Sequence, residues 1–372
     1  MKKSLIALAA LAATASFAQS SVTLDGYFDR GYTSVNSTNN TKDVKTMSSS
    51  AGTTTVGLKI REDLGGGMSV GAWISTDWGD IGGVSQDAAT VTQAGSFANS
   101  QNFIDLTGKF GVVRVGTPNN FTLTNAISVA SPLFSTGVGS AYSSAFSIAN
   151  GMGTGVTGSG GIVSQQAAIT STANAGARAI RIANTLQYST PSFSGFTAHL
   201  GYTPKNQSAG AGTDTVGVTE AAVRYTNGPL DAMLTSIKYS VGTTSPDNGG
   251  LTASTDNTQN LLGVAYAVMP NLKLNVGVGT FSSSSNAYKG SSQSIGGTYT
   301  MGAVDILAQV AQVNDKSTTN VDRKMYGLGA NYNLSKTTRL YARYDNINYG
   351  DNVAAAAGSK QTRYALGLSK SF

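Results

Sequence analysis

The sequence predicts an all-β protein, a sixteen-stranded antiparallel transmembrane β-barrel with short turns at one end and long loops at the other. Apolar and polar residues alternate along most of the chain, which is the period of strands with two different faces. The extended runs are joined alternately by short and long connections, as in closed barrels of antiparallel strands. No run of about 18 apolar residues, the length of a membrane-spanning helix, follows the N-terminal region.

Composition narrows the class of protein. Of 372 residues, 45 are glycine, none is cysteine and 12% are charged, with a formal net charge of +6. This is too polar for a helical membrane protein and too poor in charge for an ordinary cytosolic enzyme. An exported chain of this size without disulfides must be held together by other means, and a large hydrogen-bonded sheet provides them.

The first 18 residues have the pattern of a secretory signal peptide. Lys2 and Lys3 precede a short apolar run, and Ala18 is the last small residue before a predicted cleavage site at Gln19. The apolar run is too short to span a membrane. We therefore expect residues 1–18 to be removed and residues 19–372 to form the barrel.

Sixteen strands follow from the alternation that starts at residue 20. Leu24 and Phe28, for example, alternate with Asp25 and Asp29. Seven hairpins give fourteen strands, and a first strand (about 21–35) and a last strand (about 360–372) complete the set. The seven turns are "REDLGGG", "TGKFG", "PSFSG", "TNGPL", "MPN", "MGA" and "NLSK", and the longer polar segments lie near 36–52, 80–99, 119–178, 204–215, 242–258, 283–290, 314–321 and 348–359.

A secreted β-sandwich or solenoid is the alternative, because its strands also alternate. Two features favour the barrel. Aromatic residues such as Trp73, Tyr188, Tyr239, Tyr332 and Tyr344 gather near predicted strand ends, as in the girdles of membrane barrels. The other side of each strand carries glycine and charge instead of a second packing layer, and a closed barrel leaves no unpaired strand edge in lipid.

Strand parity divides the residues into a lipid-facing and a water-facing set. In "TRLYARYDN" (338–346), Leu340 and Tyr344 share one side and Arg339 shares the other with Arg343. The predicted water-facing cations are Lys59, Arg61, Arg114, Arg181, Arg224, Lys238, Lys273, Arg339, Arg343 and Arg363, and the predicted water-facing carboxylates are Asp25, Asp29, Asp105, Glu220, Asp305 and Asp345. This side is therefore predicted to be strongly basic. Arg30 and Lys370 fall on the lipid side, where we expect an interface end or a bulge.

Several segments resemble the general porins of β-proteobacteria, in the same order and from residue 20 to the last residue. They are "SVTLDGYFDRGY", "EDLGGG", "YSTPSFSGF", "YGLGANYNLSKTTRLYARY" and the final "YALGLSKSF". The resemblance implies a trimeric outer-membrane porin of a Gram-negative bacterium, in contact with outer-membrane lipid and lipopolysaccharide, that passes small hydrophilic solutes. It also implies that the barrel assembly machinery recognises Phe372 and that the third loop, 119–178, folds inward as a constriction loop.

The chain departs from the family at some positions that often carry arginine. Thr55, Ser100 and Pro118 stand at such positions, so the resemblance alone does not give the selectivity. The third loop contains no charged residue from Val115 to Ala177. A neutral loop opposite the predicted arginines leaves a constriction net positive, and rings of arginine or lysine favour anions. We therefore expect mild anion preference; the alternative for the loop is an external excursion outside the pore.

No enzyme, cofactor, metal site or nucleic-acid partner is expected. His199 is the single histidine, and no serine or carboxylate at a catalytic spacing accompanies it. The lysines and arginines are dispersed by strand parity rather than clustered with aromatic residues. Two alternatives to a general channel stay open: a substrate-specific porin with a sugar track of Tyr27, Tyr299 and Tyr341, and an adhesin or receptor barrel that acts through its loops.

Overall fold

The computed structural model describes residues 20–37, 43–77, 98, 100–121, 126–131, 137–140, 184–205, 217–241, 255–283, 289–316, 322–348 and 360–372. The predicted signal peptide, Arg181 and most of the segment 119–178 lie outside these residues. Within them, no helix is long and apolar enough to cross a membrane.

Seventeen strand segments form one sheet, in which each segment is antiparallel to its neighbours. They are β1 (Ser21–Ser37), β2 (Val44–Ser48), β3 (Thr55–Gly65), β4 (Met68–Asp77), β5 (Asn102–Gly108), β6 (Gly111–Thr117), β7 (Thr185–Ser189), β8 (Phe196–Thr203), β9 (Gly217–Asn227), β10 (Leu230–Val241), β11 (Thr255–Met269), β12 (Leu272–Ser283), β13 (Lys289–Met301), β14 (Val304–Asp315), β15 (Arg323–Asn333), β16 (Thr338–Asn348) and β17 (Lys360–Ser371). A short helix, α1 (Ile127–Ala130), lies in the third loop.

The sheet closes on itself, because β17 pairs with β1. Segments β2 and β3 both pair with β1, at residues 31–35 and 21–27 respectively, so they are two parts of one strand interrupted at 49–54. The seventeen segments therefore make the predicted sixteen-stranded barrel. The seven predicted short turns all join consecutive strands at the same end of the barrel, and the strand ends that lead to the longer connections are at the other end.

The outer face carries many exposed apolar side chains, as a lipid-facing surface requires. Leu234, Leu262 and Val278 are 55%, 40% and 47% exposed, and they lie side by side on β10, β11 and β12. Their neighbours along the strands point inward, where Thr235 and Leu261 are fully covered. The alternation in the sequence thus gives the correct face for most of the barrel.

The parity prediction is wrong for β10. Ile237 and Tyr239 are buried inside the barrel beneath the third loop, so Lys238 between them points outward. Ile237 and Tyr239 were assigned to the lipid-facing side because they are apolar, but in the structure they pack against protein. Asp231, on the inner face of the same strand, was missed for the same reason.

Three aromatic residues also face the opposite way from the prediction. Tyr299 points outward beside Ile306, on the same side of β13 as Ile295. Trp73 and Tyr239, which were expected in the outer girdles, point into the barrel, where Trp73 pairs across the sheet with Lys59. The predicted sugar track is therefore wrong at one of its three members. A second member, Tyr341, is buried in the wall.

The first and last strands meet where the barrel closes. Gly26 and Phe372 exchange two backbone hydrogen bonds, of 3.0 and 3.1 Å. The ring of Phe372 stacks on that of Phe28 with centroids 5.6 Å apart, and a side chain at Gly26 would collide with it. The terminal residue thus extends the last strand pair by one position.

We expect Phe372→Ala to destabilise the refolded barrel by about 1 kcal/mol, because it removes one aromatic stack and leaves the backbone pairing intact. The urea midpoint of the heat-modifiable folded band on a gel measures this. Phe193→Ala, at an 80% exposed ring in the β7–β8 turn, is the matched control. Equal midpoints for the two variants would show that the stack does not contribute to closure.

Candidate pore lining

The third loop begins inside the barrel. The backbone N–H of Phe121 donates to Oε2 of Glu220 on β9 at 2.9 Å, and its ring lies 4.7 Å from that of His199 on β8. Glu220 is 5% exposed. A carboxylate on the inner wall therefore accepts from the loop backbone and holds the root of the loop. His199 in turn bonds Ser189 through Nδ1 at 2.8 Å, so it belongs to the wall.

The middle of the described loop packs on the part of the wall next to β9. Helix α1 contacts β10, β11 and β12. Gly263 on β11 allows this approach, because a side chain there would collide with the carbonyl of Ala126. Asn275 donates to the carbonyl of Ala130, and Ser131 Oγ donates to Gln309 Oε1 at 2.6 Å. The loop is thus held by amide side chains of β12 and β14.

Residues 137–140 dock near the point where the barrel closes. The N–H of Gly139 donates to Asp345 Oδ2 at 2.6 Å, and the N–H of Val138 donates to the carbonyl of Ser50 at 2.9 Å. Val138 packs with Ala51, Tyr341 and Ala365 in a small buried cluster. The described parts of the third loop therefore lie inside the barrel, as predicted, and for these parts the external excursion is wrong.

Asp29 shapes the wall that receives this contact. Its fully buried carboxylate accepts the backbone N–H groups of Ser50, Ala51 and Gly52 at 2.7, 2.7 and 2.9 Å, and the hydroxyl of Tyr341 at 2.6 Å. Consecutive N–H groups that converge on one carboxylate form an anion nest. The nest folds residues 49–54 inward, which interrupts the strand between β2 and β3 and directs the Ser50 carbonyl toward the loop.

The predicted cations whose positions are described lie on the inner face, with the exception of Lys238. They are Lys59 and Arg61 on β3, Arg114 on β6, Arg224 on β9, Lys273 on β12, Arg339 and Arg343 on β16, and Arg363 on β17. The carboxylates Asp25, Asp29, Asp105, Glu220, Asp305 and Asp345 share that face. Arg181 lies outside the described residues.

Most of these cations have carboxylate partners, so the strongly basic wall predicted from parity is in fact paired. The ion pairs are Lys59–Asp25 (2.8 Å), Arg61–Asp105 (3.3 Å), Arg114–Asp105 (3.8 Å), Arg224–Asp231 (2.7 Å) and Arg363–Asp345 (2.5 Å). Arg61 and Arg114 share one carboxylate, which leaves a net positive group on β3 and β6. Arg339 is held by neutral acceptors, Ser369 Oγ at 3.1 Å and the Tyr27 hydroxyl at 3.3 Å.

The two partners of each pair are not equally exposed. The side chain of Arg61 is 49% exposed and that of Arg114 31%, whereas their shared partner Asp105 is 12% exposed. Arg224 and Arg363 are likewise more exposed than Asp231 and Asp345, and Lys59 more than Asp25. In all five of these pairs, the cationic side chain is more exposed to water than its carboxylate partner.

Aromatic rings on the inner wall fix two of these cations. The ammonium of Lys59 lies 4.7 Å from the centre of the Trp73 ring, and the guanidinium of Arg114 lies 4.0 Å from that of Phe103. Arg343, by contrast, is 4% exposed and bonds Asn331 Oδ1 at 2.6 Å, so it stabilises the wall more than it faces the pore. Among the described residues, no group of three or more metal-binding side chains comes together.

We expect Asp345→Asn to loosen the docked part of the loop, because the charge that faces Arg363 and Gly139 is lost. Removing one partner of a buried ion pair costs about 3–5 kcal/mol. Single-channel recording should show higher open-channel current noise than for the unmodified protein. Asp305→Asn is the control, since Asp305 bonds Thr300 and Asn333 near a turn. Equal noise in both variants would contradict a role of Asp345 in docking the loop.

Comparison with known proteins agrees with this architecture. The model of the Gram-negative porin family matches residues 5–352. Outer membrane porin protein 32 of Delftia acidovorans is 31% identical, over 99% of this chain and 95% of its own length. Among solved structures, the anion-selective porin from Comamonas acidovorans superposes with a TM-score of 0.74 at 26% identity, over 95% of this chain and 100% of that one.

A more distant likeness concerns the fold alone. The trimer form of OmpT from Vibrio cholerae has a TM-score of 0.60 at 13% identity, over 95% of this chain and 99% of that one. The closed sixteen-stranded barrel, the loop inside it and the family match over most of the sequence lead to one conclusion. The chain belongs to the Gram-negative porin family, and it forms a water-filled channel for passive diffusion in the bacterial outer membrane.

Proposed function

We propose that this porin passes small hydrophilic solutes and ions with a mild preference for anions. The observation that carries the proposal is the unequal exposure within the five ion pairs of the inner wall, in each of which the cation is nearer to water. A permeating anion meets guanidinium and ammonium groups before it meets the carboxylates behind them. Rings of arginine or lysine favour anions in other pores for the same reason.

The third loop strengthens this asymmetry. Its backbone N–H groups bond Glu220 and Asp345, so two inner carboxylates face the loop instead of the water. The loop itself contributes no charge between Val115 and Ala177. Two unit charges about 4 Å apart interact by about 4 kcal/mol at an effective dielectric constant of 20, so a few exposed arginines suffice to bias ion flow.

Arg61 and Arg114 are the residues that we assign to selectivity first. They share Asp105, which leaves one positive charge uncompensated within this group of three. They lie on β3 and β6, whereas the loop contacts of Glu220, Gln309 and Asp345 lie on β9, β14 and β16. Lys59, Arg224, Arg339, Arg363 and Asp25 line the same wall. The similarity to a porin described as anion-selective supports the assignment.

The proposal extends to export and assembly. We propose that residues 1–18 are removed on export, that segment 119–178 is the constriction loop, and that Arg181 also faces the pore. The porin is proposed to be a homotrimer, which the trimer form of a protein with the same fold supports. Phe372, 43% exposed at the end of β17, is available to the barrel assembly machinery, and lipopolysaccharide is the proposed lipid neighbour.

A planar bilayer under a KCl gradient tests the ion preference. We expect a zero-current potential of anion sign for the refolded mature chain. In the double variant Arg61→Gln/Arg114→Gln, Asp105 loses both partners and becomes the remaining charge of its group. Its zero-current potential should therefore shift toward the cation side.

Lys370→Gln is the matched control for this experiment. Lys370 points outward and bonds Thr337 at 2.6 Å, so its removal should leave the zero-current potential unchanged. A cation-signed potential for the unmodified channel would contradict the proposal. So would a double variant that behaves like the control.

A further inference from the structure

The outer face of the barrel carries charge of almost one sign. At outward strand positions with described side chains, the only carboxylate is Glu62, beside the β3–β4 turn. The cations at such positions are Arg30, Lys45, Lys238, Lys289, Lys324, Lys360 and Lys370. Five of these seven, the lysines at 45, 238, 289, 324 and 360, lie at the strand ends that lead to the long loops. In outer-membrane barrels, those loops are on the extracellular side.

One of the five lysines caps a groove of about 500 Å³ on the outer face, which we call the Lys324 groove. Ile295, Val310 and Tyr326 are aligned across β13, β14 and β15 and line its lower part. Two residues further toward the loops, the aligned side chains are Gln293, Gln312 and Lys324. The surface therefore changes from apolar to polar within one step, which is about 7 Å along a strand.

This step locates the edge of the hydrocarbon layer. Amide and ammonium groups are costly in lipid, so the row of Gln293, Gln312 and Lys324 belongs at the level of lipid headgroups. An ammonium and two amides that could donate hydrogen bonds lie above an apolar groove. Phosphate oxygens match these donors, and an acyl chain matches the floor below them.

A second groove, of about 480 Å³, repeats the arrangement on β7 to β10, and we call it the Lys238 groove. Lys238 aligns with the hydroxyl of Thr219 near the loop end, and Ser236 follows on the same strand. Leu186 and Leu200 provide the apolar part. The two grooves lie on different strands and have different polar residues beside the lysine. They are therefore two separate observations that indicate the same kind of ligand.

We propose that the Lys324 and Lys238 grooves bind a phosphorylated lipid of the outer leaflet, with its phosphate at the lysine and an acyl chain in the groove. The proposal deepens the expected contact with lipopolysaccharide by naming the residues that recognise it. It rests on the outer-membrane location and not on the ion preference, because the grooves are on the opposite face of the wall from the pore.

Binding of diphosphoryl lipid A to the refolded porin in detergent tests the proposal, with lipid occupancy counted by native mass spectrometry across a titration. A basic residue near an anionic membrane surface contributes about 1 kcal/mol, so Lys324→Gln should weaken binding about fivefold. Lys238→Gln should do the same for the second groove, and the double variant should be weakened at both sites. Lys324→Arg keeps the charge and should bind as the unmodified protein does.

Lys370→Gln is the matched control, because Lys370 also points outward but lies at the turn end of the barrel. It should bind diphosphoryl lipid A like the unmodified protein. Dephosphorylated lipid A should bind weakly, and inorganic phosphate in millimolar excess should not displace the lipid. Three results would overturn the proposal: unchanged binding in the double variant, equal binding of the dephosphorylated lipid, or displacement by inorganic phosphate.

Failure of this proposal is separable from failure of the ion preference. Lys324→Gln and Lys238→Gln alter the outer face only, so their zero-current potentials should equal that of the unmodified channel. Heat modifiability on a gel checks that every variant is folded before lipid is added.

Discussion

Buried carboxylates that accept backbone N–H groups determine the interior of this barrel. Asp29 accepts three consecutive N–H groups of residues 50–52, Glu220 accepts that of Phe121, and Asp345 accepts that of Gly139. Backbone groups buried without a partner are costly, and so are buried charges. Each of these contacts gives a buried N–H group an acceptor and a buried carboxylate a donor. Together they hold uncharged chain segments against the inner wall.

The charge distribution of the pore follows from this arrangement. Because these carboxylates are used to hold chain segments, they are shielded from the water-filled space. The five cations in ion pairs are each more exposed than the carboxylate they bond and reach into the lumen, as Arg61 and Arg114 do around Asp105. A wall with nearly balanced formal charge therefore presents mainly its positive ends to solutes. In the proposed ion preference, the position of a charge relative to the loop therefore matters more than the number of charges.

Much of this was predictable from the sequence, because lipid and water select opposite sides of a strand. The turns, the strand number and the faces of β16 and β17 follow from alternation alone. Alternation fails where the barrel buries protein against protein: Ile237 and Tyr239 are apolar but point inward beneath the loop, which reversed the prediction for Lys238 and hid Asp231. Asp29 and Asp345 were predicted as water-facing, yet their burial depends on contacts between residues far apart in the sequence.

The docking of residues 137–140 of the third loop against the inner wall is the central claim, and a designed disulfide tests it most directly. The chain has no cysteine, so Ala51→Cys/Val138→Cys introduces one defined pair at two residues in the same buried cluster. We expect this pair to oxidise readily and to leave the single-channel conductance unchanged, because the bond fixes an existing contact. Val138→Cys with Ala308→Cys, which is on the outer face, should not form the bond. A 51–138 pair that stays reduced, or that closes only with a large change in conductance, would contradict the account.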